Sequence, residues 1–193
     1  MDDSYKIILI GDSGVGKTSM TLRFIKSPIS NVDPTIGAGT YPCKIKIDDT
    51  IRNIKIWDTA GQETYMGLIP QYCRGAHCGI LVFDVTSKES FASLSTWIQF
   101  LESHSETFPI IIFGNKTDLE QSRVITNEDA ILYSEPKGYV YCEGSAETGT
   151  GIDQLFYLAT EKAIKFANLK VENSDKPTVR LEITEKKKKP ICC

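Results

Sequence analysis

Between Gly11 and Ser19 the chain reads GDSGVGKTS: a glycine, four residues, a second glycine, then a lysine and hydroxyl side chains. That order is the phosphate-loop pattern. Glycines at 11, 14 and 16 let the backbone close into a concave turn whose N–H groups converge on phosphate oxygens. A helix starting near Lys17 adds the positive end of its dipole. Lys17 has the reach for β and γ phosphates, and the Thr18 hydroxyl can ligate Mg2+. The apolar run Ile7–Ile10 ahead of the turn reads as a buried strand, and a helical pattern follows it. A chance glycine-rich turn would not carry both flanks and the Lys-Thr pair, so the stretch predicts a nucleoside triphosphate site. Its candidate contacts are Ser13, Gly14, Val15, Gly16, Lys17, Thr18 and Ser19.

A phosphate loop does not identify the base. Asn115-Lys116-Thr117-Asp118 follows an apolar run about a hundred residues later. A carboxylate at Asp118 can accept hydrogen bonds from both the N1–H and the exocyclic amine of guanine. Adenine offers no such donor pair, and hydrogen bonds to a charged group are worth roughly 1.5–3 kcal/mol each. Asn115 can brace the loop, while the Lys116 stem covers one face of the ring. Ser145 and Ala146, after the next strand, are placed to offer backbone N–H groups to the guanine O6. Asp58, where another strand stops, can hold Mg2+ through a water, and Thr35 is a second candidate metal ligand. In the same segment Gly61 can turn its N–H to a γ phosphate, and Gln62 is the catalytic candidate that orients the attacking water.

The elements that must carry these residues alternate. Helical spacing runs from the phosphate loop to about Ile25, and Pro28 and Pro34 impose an irregular segment after it. Thr40–Ile47 and Ile51–Trp57 read as strands joined by a turn at Asp48-Asp49-Thr50. Ile80–Val85 and Ile110–Gly114 are continuous apolar runs, expected of parallel strands covered on both faces. Phe91, Leu94, Trp97, Ile98 and Leu101 between them repeat at helical spacing. A helix around 127–135 has Thr126 or Asn127 as its cap. Tyr139–Cys142 is a short strand, and Leu155, Phe156, Ala159, Ala163 and Phe166 mark a last amphipathic helix. The prediction is one α/β domain, residues 1–167, with a mostly parallel sheet, helices on both faces and one antiparallel edge. Every candidate site segment then falls at the carboxyl end of a strand, the edge where open α/β sheets bind ligands.

Composition agrees with a single soluble domain: 193 residues, 41% hydrophobic and 24% charged. A net charge of −3 points away from nucleic acid. No apolar run approaches the ~20 residues of a membrane span, and the first residues carry no secretory pattern. Cysteines 43, 73, 78 and 142 are scattered without metal-ligand spacing and read as reduced, buried thiols. From about Asn168 the periodicity stops, and residues 168–193 read as a flexible tail ending in Lys186–Lys189, then Pro-Ile-Cys-Cys.

GDSGVGKTS, PTIG, KIWDTAGQE, YCRGA, LVFDVT, GNKTDL and GSAETGTGI together resemble the Rab family of small GTPases, over roughly residues 5–167. The resemblance implies a six-stranded phosphate-loop GTPase domain and a GTP/GDP switch of membrane traffic that works as a monomer with Mg2+. It places switch I at Pro28–Thr40 and switch II at Ala60–Arg74. It also implies an exchange factor, a GTPase-activating protein, prenylation machinery and a GDP-dissociation inhibitor as partners, on the cytoplasmic face of an intracellular membrane. Terminal Cys192-Cys193 resembles the doubly geranylgeranylated end of Rab proteins and is not a C-a-a-X box. Two lipid chains, or one with basic charge, anchor a protein where one alone holds it marginally. Each lysine of 186–189 adds roughly 1 kcal/mol near an anionic leaflet. A flexible tail of about 25 residues spans ~28 Å.

The chain departs from the family at several positions. Ser27-Pro28-Ile29 stands where an aromatic usually packs on the guanine edge, which predicts faster nucleotide exchange. Ala38-Gly39-Thr40 replaces an aliphatic-acidic-Phe run, Thr64 replaces an arginine, and Glu147 replaces a lysine beside the base. No arginine is placed to act in cis, so intrinsic hydrolysis should be slow, and one supplied in trans is worth roughly 10³–10⁵ in rate. Two rival readings are a phosphate-loop kinase, which has no use for the Asn-Lys-x-Asp run, and a scaffold that holds GTP without cycling, which has no use for Gln62.

Overall fold

The computed structural model describes residues 4–27, 35–61, 67–104 and 107–174, with side chains described as far as Lys170. Its elements follow the predicted alternation: β1 (Ser4–Ile10), α1 (Lys17–Phe24), β2 (Ala38–Ile47), β3 (Thr50–Thr59), α2 (Ile69–Cys73), β4 (Cys78–Asp84), α3 (Lys88–His104), β5 (Ile110–Asn115), α4 (Asn127–Ser134), β6 (Val140–Glu143) and α5 (Ile152–Ser174). The strands form one sheet in the order β2-β3-β1-β4-β5-β6. Only the β2–β3 pair is antiparallel; the rest run parallel.

Strand alternation builds two cores from one sheet. Ile7 and Leu9 of β1 face Met20 of α1 and Leu155, Phe156 and Ala159 of α5. Ile8 and Ile10 face the other way, with Leu94, Trp97 and Ile98 of α3 and Ile69 of α2. Because helices cover both faces, β4 is buried along its whole length. The parallel register aligns the carboxyl ends of the strands: Leu9 pairs with Asp58, Ile10 with Leu81, and Asp84 with Asn115. Gly11, Asp58, Asp84 and Asn115 therefore emerge at one edge of the sheet.

Local chemistry sets the boundaries. Asp48 and Asp49 both adopt positive φ, 44° and 61°, and Ile47 pairs with Thr50. This is a two-residue turn of the type that matches strand twist, so Thr50 belongs to β3 rather than to the turn. Thr126 caps α4 by accepting from Asp129 N–H, and Asp129 accepts in return from the Thr126 backbone. Helix α2, with Pro70 in its first turn, has too few residues to show a period and is absent from the sequence reading. At the other end α5 continues to Ser174, past the predicted stop near Asn168. Once a helix is nucleated each further residue adds a backbone hydrogen bond, so it outlasts its apolar stripe; Leu169 is already exposed. The rest of the predicted tail, and Cys192 and Cys193 with it, lies outside the described residues. Cys43, Cys78 and Cys142 are free thiols. Burial pushes the first up to about 11 and the other two to about 12, which keeps them protonated and unreactive.

Candidate functional site

The phosphate loop is shaped by close approaches that only glycine permits. Gly11 has φ 138°, and a Cβ on it would lie 2.2 Å from the Val82 carbonyl oxygen of β4. Gly16, the residue before α1, has φ 98°. A Cβ there would sit 2.3 Å from Asn115 Nδ2. Lys17 folds back under the loop and donates to the carbonyl oxygens of Gly11 (2.7 Å) and Asp12 (2.6 Å). Burial pushes its pKa down to about 8, against the opposing pull of Asp58 and Asp12. A buried ammonium held by carbonyls at the turn suits an anionic ligand. Ser13 and Gly14 form the exposed rim of the turn.

A second cluster joins three segments that the sequence separates. Thr18 Oγ1, at the start of α1, donates to Asp58 Oδ2 of β3 at 2.6 Å and lies 2.9 Å from Thr35 Oγ1. Thr35 Oγ1 also reaches Asp58 Oδ2, at 3.3 Å. Asp58 is fully buried. Its other oxygen, Oδ1, has no hydrogen-bond partner among the described residues. Burial raises its pKa, with the Thr18 hydrogen bond and the Lys17 charge acting the other way. An orphaned buried carboxylate oxygen beside two hydroxyls suits a hard divalent cation, and Mg2+ needs few protein oxygens when phosphates and waters complete its shell. The residues present thus fit the implied metal. Gly61 backs directly onto the loop: a Cβ there would lie 2.4 Å from the Asp12 carbonyl. Gln62, the candidate catalytic residue, lies outside the described residues.

The third cluster lies across a cleft of about 310 Å3 lined by Gly14, Gly16 and Ser19 on one side and Asn115, Lys116, Asp118, Ala146 and Glu147 on the other. Asn115 ties the two sides together, donating from Nδ2 to the Val15 carbonyl (2.8 Å) and accepting at Oδ1 from Ala146 N–H (3.0 Å). The Ser145 hydroxyl donates to Asp118 Oδ1 and accepts from Thr148 N–H. That bond orients the carboxylate assigned to the base edge. The N–H groups of Ser145 and Ala146 already have acceptors, the Thr150 carbonyl and Asn115 Oδ1. A base oxygen would share those donors or require the loop to shift.

The profile of the Ras family matches residues 6–165. The chain is 40% identical to "Ras-related protein Rab5" of Nicotiana tabacum over 154 residues, 79% of this chain and 77% of that protein. It is 41% identical to "Ras-related protein RABG3d" of Arabidopsis thaliana over 169 residues, 83% and 82% of the two chains. The chain belongs to the Ras family, as a Rab-type small GTPase. It therefore binds guanine nucleotides and hydrolyses GTP.

Two side chains of this GTPase that sequence reading passed over support the base cluster. Asp84, the last residue of β4, pairs with Lys116 Nζ at 2.7 Å and also accepts from the backbone and hydroxyl of Thr86. Burial alone would raise the Asp84 pKa, but the bonds from Lys116 and Thr86 hold it below the usual carboxylate value. The pair fixes Lys116, whose φ of 71° is left-handed. Its only sequence signal is an acid closing an apolar strand. Arg23, in the last turn of α1, donates through Nε to the Ala146 carbonyl (2.7 Å) and through its terminal nitrogen to the Glu147 carbonyl. It brings a cation to the loop where Glu147 stands in place of the family's lysine. No pattern in the sequence joins positions 123 residues apart.

Proposed function

We propose that this Rab-type GTPase is a nucleotide-operated switch of vesicle traffic that works from a prenylated membrane anchor. In this reading the amides of 13–19 hold the phosphates, with Lys17 supplying the cation its buried position prepares. Asp118, aligned by Ser145, recognises the guanine edge, and Lys116, aligned by Asp84, covers the ring. Thr18, Thr35 and Asp58 would hold Mg2+, which when bound would neutralise phosphate charge. Gln62 directs water at the γ phosphate, and hydrolysis is slow until an activating protein supplies an arginine. Thr35 and Gly61 sense the γ phosphate, and its loss releases both switch segments.

The observation that carries this reading is the single cleft that sets Gly14, Gly16 and Ser19 opposite Asp118. Among the described residues no helix is long and apolar enough to cross a membrane, so membrane attachment in this reading rests on Cys192, Cys193 and Lys186–Lys189. Purified protein should bind GTP and GDP far more tightly than ATP, and release phosphate from GTP slowly in single turnover. Comparable binding of ATP would overturn the site assignment. Tagged protein with Cys192→Ser and Cys193→Ser should leave the membrane fraction; a double variant that stays there rejects the anchor. Without the switch I aromatic, GDP should leave faster than from Rab proteins that carry one, and an ordinary off-rate removes that part of the proposal.

A further inference from the structure

Asp12 sits inside the phosphate loop, yet its charge is of the wrong sign for a polyanion site. The structure shows what becomes of it. Its Oδ1 accepts a hydrogen bond of 2.7 Å from the indole Nε1–H of Trp97, which lies 85 residues later in α3. Trp97 is buried in the core on the α3 face of the sheet, with Leu94, Ile98 and Leu101. Neither Asp12 nor Trp97 lines the cleft between Gly14 and Asp118. The Asp12 backbone, in contrast, is engaged on the phosphate side: its carbonyl accepts from Lys17 Nζ, and Gly61 packs against it. One residue thus faces two ways, with its carbonyl holding the phosphate-seeking lysine and its carboxylate turned toward α3.

We propose that Trp97 is a positioning residue for nucleotide selection: its indole N–H holds the Asp12 carboxylate against α3, away from the phosphates, and so keeps the loop hospitable to a triphosphate. The inference rests on the reading that phosphates lie on the loop amides. The physics favours a neutral donor. A lysine or arginine in place of Trp97 would bring a second cation into the buried α3 face, whereas an indole fixes the carboxylate's direction without adding charge. A released carboxylate would repel nucleotide in proportion to phosphate charge, so GTP would suffer more than GDP.

The test compares dissociation rates of labelled GTP and GDP from the full chain and from Trp97→Phe, which keeps an aromatic ring but removes the N–H. GTP release should accelerate roughly tenfold, the scale of one lost hydrogen bond to a charged group, and GDP release roughly two- to threefold. Adding Asp12→Asn to Trp97→Phe removes the misplaced charge and should return GTP release to near the wild-type rate. Asp12→Ala should shift the Trp97 indole Nε1–H resonance from its wild-type position. If Trp97→Phe does not fold, a benzothienylalanine at position 97 keeps the indole's shape without its donor and must give the same asymmetry. Equal acceleration of both nucleotides, unrelieved by Asp12→Asn, would make Trp97 a packing residue only and overturn the proposal, as would unchanged rates. Wild-type protein that binds neither nucleotide would instead reject the underlying site reading, before any variant is compared.

Discussion

A carboxylate chooses between purines only if it is held where one of them offers donors, and here a hydroxyl does the holding. Ser145 donates to Asp118 Oδ1 while accepting from Thr148 N–H, so the acid's direction is set by the loop after β6 and not by its own backbone alone. On the proposed reading, Asp118→Ala removes both base-edge acceptors. At roughly 1.5–3 kcal/mol for each bond to a charged group, GDP affinity should fall by about two to four orders of magnitude. ATP binding should change little, because adenine never met that acceptor. Titration of both nucleotides against the purified variant checks the pair of outcomes. A variant that still preferred GDP by the wild-type margin would place guanine recognition elsewhere.

At the scale of elements, the strands' common carboxyl edge was legible because apolar runs stopped at Gly11 and at Gly114-Asn115, and the strand pattern of Ile51–Trp57 stopped at Asp58. The register then fixes their proximity. What the sequence hides is the bracing between elements. Arg23 of α1 reaches the loop after β6, Asp84 of β4 reaches the loop after β5, and Trp97 of α3 reaches the phosphate loop. Each is one ordinary polar group on an otherwise structural element, and its partner is chosen by topology rather than by spacing. Gly16 and Asn115 form a further close joint between elements. Gly16→Ala forces a Cβ to 2.3 Å from Asn115 Nδ2 at a φ of 98°. Asn115 must then give up its bond to Val15. The strain is on the order of 1–3 kcal/mol. The variant should fold with a lowered melting temperature and lose nucleotide binding more steeply than stability. Circular dichroism melts beside GDP titration separate the two effects. An alanine variant that bound GDP normally would show that the loop and the base cluster tolerate separation.

For the whole molecule, β6 is the outermost strand on its side of the sheet and carries the loop proposed to serve the base, so its attachment matters at a distance. A polar network does that work. Arg123, after β5, pairs with both Glu143 oxygens at 3.1 and 3.2 Å, and Tyr141 donates to Glu143 Oε2 at 2.6 Å. Burial pushes the Glu143 pKa up, but the bonds from Arg123 and Tyr141 outweigh it and hold the group below its ordinary value. A carboxylate whose folded pKa is depressed stabilises the fold above its unfolded pKa, about 4.5, and that contribution disappears as pH falls through the folded value. Glu143→Gln should therefore cost roughly 1–2 kcal/mol at pH 7, the scale for a charged hydrogen bond discounted for its partial exposure. The gap between variant and wild type should narrow below about pH 4.5. Urea denaturation of nucleotide-loaded protein at pH 7 and in steps below pH 5 measures both quantities. A gap that stayed constant across that range would mean the network holds β6 by shape rather than by charge, and the loop after β6 would then be held by bonds such as those of Arg23 and Asn115.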